Sequence, residues 1–410
     1  MKYFFTLGNN PTLSVAELIA VFGLGENNQG KLINGNVFVL ETEKEINPGK
    51  IIKRVGGTIK IGEVVDSVLT KEPDLDFKLT EIVIEKHYGR KEKAKFGISF
   101  YGKKGFDTKK LAMNIKNNLK GSKIGSSWVA GKRMGEPISS VGVEKNKLIS
   151  KGIELVLIKD EKDILIGKTL AVQPFEELSF RDYNRPARDD RSGMIPPKLA
   201  QVMLNLACVE MPWRDVSTGD KTKDKIIYDP FCGSGTILTE AILMGYKTII
   251  GSDISQKAIK DTQENIEWIT SQYKLGKINA NIFLSDASNN NGYLKKKIVD
   301  AIVAEPYLGP QRGKFDVEKV VRELNRLYSN SLKGFEKILK PDGRIVMIWP
   351  IFKRSGSSFK LKPELGNLKV VNPLSSIQNR NLELTNRNTI IYGRKGQKVW
   401  REIVVLEVKK

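Results

Sequence analysis

Histidine occurs once in this 410-residue chain, as His87, and cysteine twice, as Cys208 and Cys232. Two thiols are too few for a disulfide framework, and a zinc cluster needs more Cys or His than the chain holds. A single histidine, in isolation, has neither a metal site nor a catalytic base role to fill. The chain also lacks any apolar run near the ~20 residues that a membrane span needs. Its opening, MKYFFTLGNNPTLS, is briefly apolar and then polar, without the long apolar stretch and small-residue cleavage site of a signal peptide. These absences together point to a reducing cytoplasm. No internal repeat or low-complexity tract stands out.

Negative charge is also short. Against 68 Lys and Arg there are 47 Asp and Glu, giving a formal charge of +21. The excess is local: residues 101–150 carry 11 basic and 3 acidic groups, and residues 301–400 carry 19 and 8. Basic excess gathered in two stretches is the electrostatic footprint expected of a polyanion partner.

The length predicts two or three domains. Residues 1–60 read as a small α+β unit, with strands at Tyr3–Leu7, Val37–Leu40 and Ile51–Ile52 and a helix capping box at Ser14–Glu17. Residues 61–180 continue in that character with more charge. Thr80–Glu85 and Lys95–Tyr101 alternate as strands do, and Leu155–Ile158 with Ile164–Leu170 form a last strand pair. Leu111, Ile115 and Leu119 mark one face of a helix. Arg181–Pro197, with Pro186, Gly193, Pro196 and Pro197 among four arginines, is the expected linker. Lys198–Ala207 reads as an amphipathic helix. From Lys225 onwards strands and helices alternate, which calls for a mainly parallel sheet with right-handed crossovers and places a nucleotide-cofactor fold over 198–410.

The segment Asp229–Pro230–Phe231–Cys232–Gly233–Ser234–Gly235–Thr236 closes the first of those strands. Gly233 and Gly235 permit close backbone approach and positive φ. The spacing is not that of a dinucleotide turn; a glycine turn preceded by an acid suits a cofactor with an amino-acid tail and no phosphate. Asp229 then balances the cationic end of that tail. Asp253, at the tip of the second strand, is placed for ribose hydroxyls, and Asp286, after the third, for an adenine amine. Phe231, Thr236, Ile254 and Ala287 flank these positions. Taken singly, each acid could equally cap a helix or a turn. The constellation resembles the class I S-adenosylmethionine methyltransferases, and D-P-F-C-G-S-G-T is close to the form of their amino-methylating branch. Cys232 is expected there as a small neutral residue, not a nucleophile.

After the fourth strand comes Ala304–Glu305–Pro306–Tyr307, where that branch carries Asp/Asn-Pro-Pro-Tyr/Phe. An exocyclic amine is a poor nucleophile because its lone pair is delocalised into the ring. Oxygen acceptors at the turn take its N–H groups and align that lone pair, while the aromatic side chain stacks on the extruded base. Pro306 and Tyr307 match the pattern. Ala304 stands where the acceptor is expected and Glu305 replaces the first proline, so either Glu305 takes over as acceptor or the turn does not catalyse.

The whole chain resembles the tRNA guanine N2-methyltransferases that act at position 10. Tyr3–Gly8 with Leu13–Leu18, Arg185–Pro186 with Pro197–Ala200, Asp229–Thr236 and Gly396–Ile403 carry the likeness. The resemblance implies an α/β protein: a Rossmann-like class I methyltransferase domain preceded by α+β ferredoxin-like (1–60) and THUMP-type RNA-binding (61–180) domains. It implies S-adenosylmethionine as cofactor, tRNA as partner, and transfer of one or two methyl groups to a guanine N2 amine. The eukaryotic relatives need a small activating subunit. Candidate RNA contacts are Lys103, Lys104, Lys109, Lys110, Lys132 and Arg133, with Arg185, Arg188, Arg191 and Lys198 near the junction. Two alternatives stay open: another RNA amine (an rRNA guanine or an adenine N6), or RNA binding without turnover. A DNA target is not expected, because the catalytic half shows no added recognition domain.

Overall fold

Ile153–Ile158 is buried at every position, the mark of a strand covered on both faces. It lies inside an eight-stranded sheet. In a computed structural model the described residues are all except 26–29, 71, 103–105, 134, 189–193, 209–223, 290–293, 311–312, 355, 375–376, 378, 394–395 and 410. The chain forms two units, one from Met1–Pro11, Asn27–Lys53 and Thr58–Phe175, the other from Thr12–Glu26, Arg54–Gly57 and Glu176–Lys410. Helix α1 (Pro11–Phe22) thus counts almost wholly with the second.

The first unit holds β1 (Lys2–Leu7), β2 (Gly30–Ile33), β3 (Val37–Glu41), β4 (Thr58–Leu69), β5 (Ala94–Tyr101), β6 (Ser126–Val129), β7 (Ile153–Asp160) and β8 (Asp163–Val172). Their order is β2-β3-β1-β4-β8-β7-β5-β6, so strands expected in 1–60 and in 61–180 share one sheet. Helices α2 (Pro48–Arg54), α3 (Leu75–His87), α4 (Thr108–Gly121) and α5 (Ser140–Lys145) complete the unit. Two expected strands are helices instead. Ile51–Ile52 lies in α2, and Thr80–Glu85 in α3, where Leu75, Leu79 and Val83 are buried at four-residue intervals. That spacing overrides the short apolar alternation at Ile82–Ile84. In α4, Leu111, Ile115 and Leu119 face the core as the sequence predicts, and Asp107 caps the helix by accepting from the Lys110 N–H. A charge pair is buried between the strands: Glu154, on β7, takes Lys60, Ser99 and Thr169 as hydrogen-bond partners, which satisfies groups too costly to bury alone.

The second unit carries β9 (Ile226–Asp229), β10 (Thr248–Asp253), β11 (Asn279–Leu284), β12 (Val299–Ala304), β13 (Leu339–Arg354), β14 (Ser357–Lys360), β15 (Leu368–Val370), β16 (Ile390–Tyr392) and β17 (Val399–Val408). The order is β11-β10-β9-β12-β13-β17-β15, with β14 on β13 and β16 on β17. The first five strands pair in parallel and β17 enters antiparallel. Helices α6 (Phe175–Tyr183), α7 (Pro197–Ala207), α8 (Thr236–Leu243), α9 (Gln256–Gln272) and α10 (Val317–Ile338) connect them. Strand order reverses between β9 and β12, and a crevice opens at the carboxyl ends of the strands at such a point.

Two sequence expectations are corrected here. α7 has the polar face expected, Lys198, Gln201 and Asn205, but only Lys198 meets solvent; Gln201 and Asn205 bond inside the unit, to Glu240 at 2.9 Å and to Glu17 at 2.8 Å. Ser14 and Glu17 form no capping box, because α1 already begins at Pro11. Ser14 Oγ instead donates to the Gly57 carbonyl, and the Glu17 carboxylate accepts from the Gly56 and Gly57 N–H groups. Among the described residues no helix is long and apolar enough to cross a membrane.

Candidate active site

The turn after β9 is built on two left-handed glycines, Gly233 at φ 52° and Gly235 at φ 80°. A Cβ on Gly235 would come within 3.1–3.3 Å of Thr262, so both space and conformation require glycine. The turn is braced from α9. Thr262 Oγ1 donates to the Gly233 carbonyl at 2.8 Å, and Asn265 Nδ2 to the Ser234 carbonyl at 2.7 Å. Both side chains are buried and three positions apart on one helix face, a spacing that is legible in the sequence. Cys232 is buried, and burial raises its thiol well beyond its ordinary range, as fits a neutral packing residue.

A cleft of about 710 Å³ opens over this turn, and Asp229, Asp253 and Asp286 all line it. Asp229 is buried and accepts the Phe231 N–H at 3.1 Å. Burial holds its carboxyl well above the usual range, and the nearby Asp253 and Glu305 charges push the same way. Asp253 accepts from Gly233 N and Ser255 N. Asp286 is exposed and binds the Ser288 N–H and hydroxyl through one oxygen. It therefore caps the short 3-10 turn Ala287–Asn289, and its other oxygen has no hydrogen-bond partner among the described residues. Phe231, Thr236, Ile254 and Ala287 also line the cleft.

On the far side of the cleft lies the turn after β12. Ala304 is fully buried within that strand and is not among the lining residues, so the expectation of a part for it in the site is withdrawn: a methyl group in a sheet offers no acceptor. Glu305, Pro306 and Tyr307 do line the cleft. Tyr307 leaves 61% of its surface exposed, and its carbonyl accepts from the buried Tyr328 hydroxyl on α10 at 3.1 Å. Glu305 is nearly buried, and Arg401 Nε donates to its Oε1 at 2.5 Å. Burial raises the Glu305 carboxyl; the Arg401 charge and hydrogen bond lower it. Arg401 comes from β17, 96 residues away in sequence, and no local spacing pointed to it.

Of the candidate RNA contacts, Lys109, Lys110, Lys132, Arg133 and Lys198 are exposed. Lys103, Lys104 and Arg191 lie outside the described residues. Arg188 is half-buried with its guanidinium 5.1 Å from the Tyr183 ring centroid. Arg185 does not face solvent: it is buried, donating to Thr236 Oγ1 at 2.5 Å and to the Arg181 carbonyl at 3.0 Å. It fixes the start of α8 from inside, and Arg181 beside it forms a buried pair with Glu240 at 2.7 Å.

Strand order, glycine turn and acid-lined cleft define a Rossmann-like fold of the methyltransferase type. By family, a model described as "DNA methylase" matches residues 37–264, more than half of the chain, and the chain belongs to that family. A model described as "RMKL-like, methyltransferase domain" matches 185–361 and takes in the whole cleft except Arg401. The first match ends before the Glu305 turn, so it carries no information on the target base.

Two relatives are tRNA (guanine(10)-N2)-dimethyltransferases. That of Methanothermobacter thermautotrophicus is 34% identical over 199 residues, 48% of this chain and 50% of that protein. That of Methanocaldococcus jannaschii is 30% identical over 196 residues, 46% and 48%. The matched region thus spans about half the length of these relatives. The crystal structure of TrmN from Thermus thermophilus aligns over all of both chains with a TM-score of 0.53 at 16% identity, a likeness of fold.

Proposed function

We propose that this chain transfers methyl groups from S-adenosylmethionine to the N2 amine of a guanine in tRNA, at position 10 as the names of its relatives say of them. One observation carries the chemistry: the Glu305–Pro306–Tyr307 turn and the Asp229–Asp253–Asp286 set line the same cleft. The cofactor, when bound, supplies an electrophilic methyl on a sulfonium. The residues fit it. Asp229 is a buried carboxylate whose charged neighbours are acids, and a cationic amino-acid end would relieve that repulsion. Asp253 and Asp286 would hold the ribose and the adenine amine, and the glycines leave room for the tail.

Tyr307 offers its open face to the base, and Glu305 accepts an N–H of the target amine, aligning its lone pair. As the N–C bond forms and the S–C bond breaks, N2 must shed a proton. Glu305, whose carboxyl is raised by burial against the opposing charge and hydrogen bond of Arg401, is the carboxylate placed to take it. The exposed lysines and arginines at 109, 110, 132, 133 and 198 supply phosphate contacts, with residues 61–180 acting as a THUMP-type RNA-binding segment. The two free, buried thiols suit a cytoplasmic setting. A second reading, RNA binding without transfer, draws on Ala304 at the usual acceptor position.

The test is incubation of the protein with tritiated S-adenosylmethionine and unmodified tRNA transcripts, followed by nucleoside mass spectrometry. N2-methylguanosine is expected. Glu305→Gln should cut transfer ~100- to 1000-fold with cofactor affinity retained. Tight tRNA and cofactor binding without transfer would leave the second reading standing.

A further inference from the structure

The cleft holds one charge pair that the transfer chemistry only half uses. Arg401 is needed neither for the cofactor nor for the stack, yet its guanidinium lines the cleft beside Glu305 and Tyr307. Because β17 runs antiparallel to β13, with Arg401 opposite Pro350, its start reaches the end of the sheet where the parallel strands finish. β13 lies between β12 and β17 in the sheet, so Glu305 and Arg401 bridge two strands that are not neighbours. The side chains are 10% and 18% exposed, and the recorded bond uses only Nε and Oε1. Glu305 Oε2 and the two terminal nitrogens of Arg401 have no hydrogen-bond partner among the described residues. Both residues line the cleft, so a molecule bound there can pair with these atoms.

We infer that Glu305 and Arg401 together read the edge of the target base and select guanine over other amino-bearing bases; the inference rests on the proposed transfer to guanine. Guanine presents, in a row, the N2 amine donor, the N1–H donor and the O6 acceptor. A carboxylate matches the first two and a guanidinium the third. Adenine and cytosine place a ring nitrogen lone pair beside the amine. Facing Glu305, that lone pair meets a carboxylate with no proton between them; adenine then offers Arg401 only C2–H, whereas cytosine keeps an O2 acceptor and is rejected at N3 alone. Each wrong base therefore leaves at least one buried charged group unpaired, the situation that gives hydrogen-bonding sites their large discrimination. Arg401 is on this view a specificity residue as well as the group that orients Glu305.

The probe is a tRNA transcript carrying 2-aminopurine at the methylated position, which keeps the exocyclic amine but lacks O6 and N1–H. The wild-type protein should favour guanine over 2-aminopurine by ~100-fold or more in kcat/KM. Arg401→Gln should lower guanine transfer at least ~10-fold more than 2-aminopurine transfer, so that the preference collapses. Arg401→Lys, which keeps the counter-charge for Glu305, should fall between, with melting temperature recorded for each variant. Equal use of both bases by wild type, or equal slowing of both in Arg401→Gln, overturns the inference. If wild type transfers nothing, the methylation reading fails and base selection is judged by binding. Tighter binding of guanine than of 2-aminopurine tRNA to protein saturated with S-adenosylhomocysteine, lost in Arg401→Gln, then supports it; no difference overturns it.

Discussion

Tyr307 spends most of its ring surface in water at the rim of the cleft, while its backbone is fixed by Tyr328. A rigid backbone with an open aromatic face suits stacking. Base–aromatic stacking is worth about 1–3 kcal/mol per base, so Tyr307→Ala should lose roughly 10- to 100-fold in kcat/KM. Tyr307→Phe should stay near wild type, since only the ring is used; a Phe variant as slow as Ala would refute stacking. At this scale the sequence was readable where the chemistry is local. Eight consecutive residues form the glycine turn, and Asp229 and Asp253 end their strands while Asp286 follows its own. It was not readable where partners are distant or burial decides. Arg401 lies 96 residues from Glu305, and Arg185 lies 51 from Thr236. An arginine held inside the protein has the same letter as one on its surface, so Arg185 could be mistaken for an RNA contact.

Helix α1 shows the same point one level up. Its Ser14 and Glu17 have the spacing of a capping box, but their partners are Gly56, Gly57 and Asn205. Likewise α3 resembled a strand because a short window hides a four-residue period that thirteen residues reveal. Burial raises the Glu17 carboxyl from 4.5 to about 7, against the pull of its three donors. The folded state thus binds the proton more tightly than the unfolded chain. The stability this adds is complete below about 4.5 and lost as the pH rises through about 7, at most roughly 3 kcal/mol at 1.4 kcal/mol per pKa unit. Urea unfolding of the protein between pH 5 and 8 should therefore show stability falling with pH. Glu17→Gln should flatten that slope, and a slope left unchanged would assign the titration to another group.

At the scale of the molecule, the second unit draws on Thr12–Glu26 and Arg54–Gly57 as well as Glu176–Lys410. The inserted pieces are tied in by Glu17 to Asn205, by Arg54 to the Met244 carbonyl, and by Arg54 to the Tyr246 hydroxyl. A chain of residues 176–410 alone would leave Asn205 and Tyr246 without these partners and uncover the buried surface of α7. It should melt well below the full protein and aggregate on size-exclusion chromatography; a stable monomer with the full melting temperature would contradict this. The alternation of strands and helices made the parallel sheet legible from Lys225 on, because each crossover is local. That α1 counts with that sheet's unit could not be read, since no pattern in α1 names its partner.

The Glu17–Asn205 bond also sets a timetable. Its two residues are 188 positions apart, so on the ribosome α1 emerges first and waits while the rest is made. At about 5–20 residues per second that wait is roughly 10–40 s. Through it the Glu17 carboxylate has the Gly56 and Gly57 N–H groups but not the Asn205 amide. The second unit can close only after its last strands have left the exit tunnel.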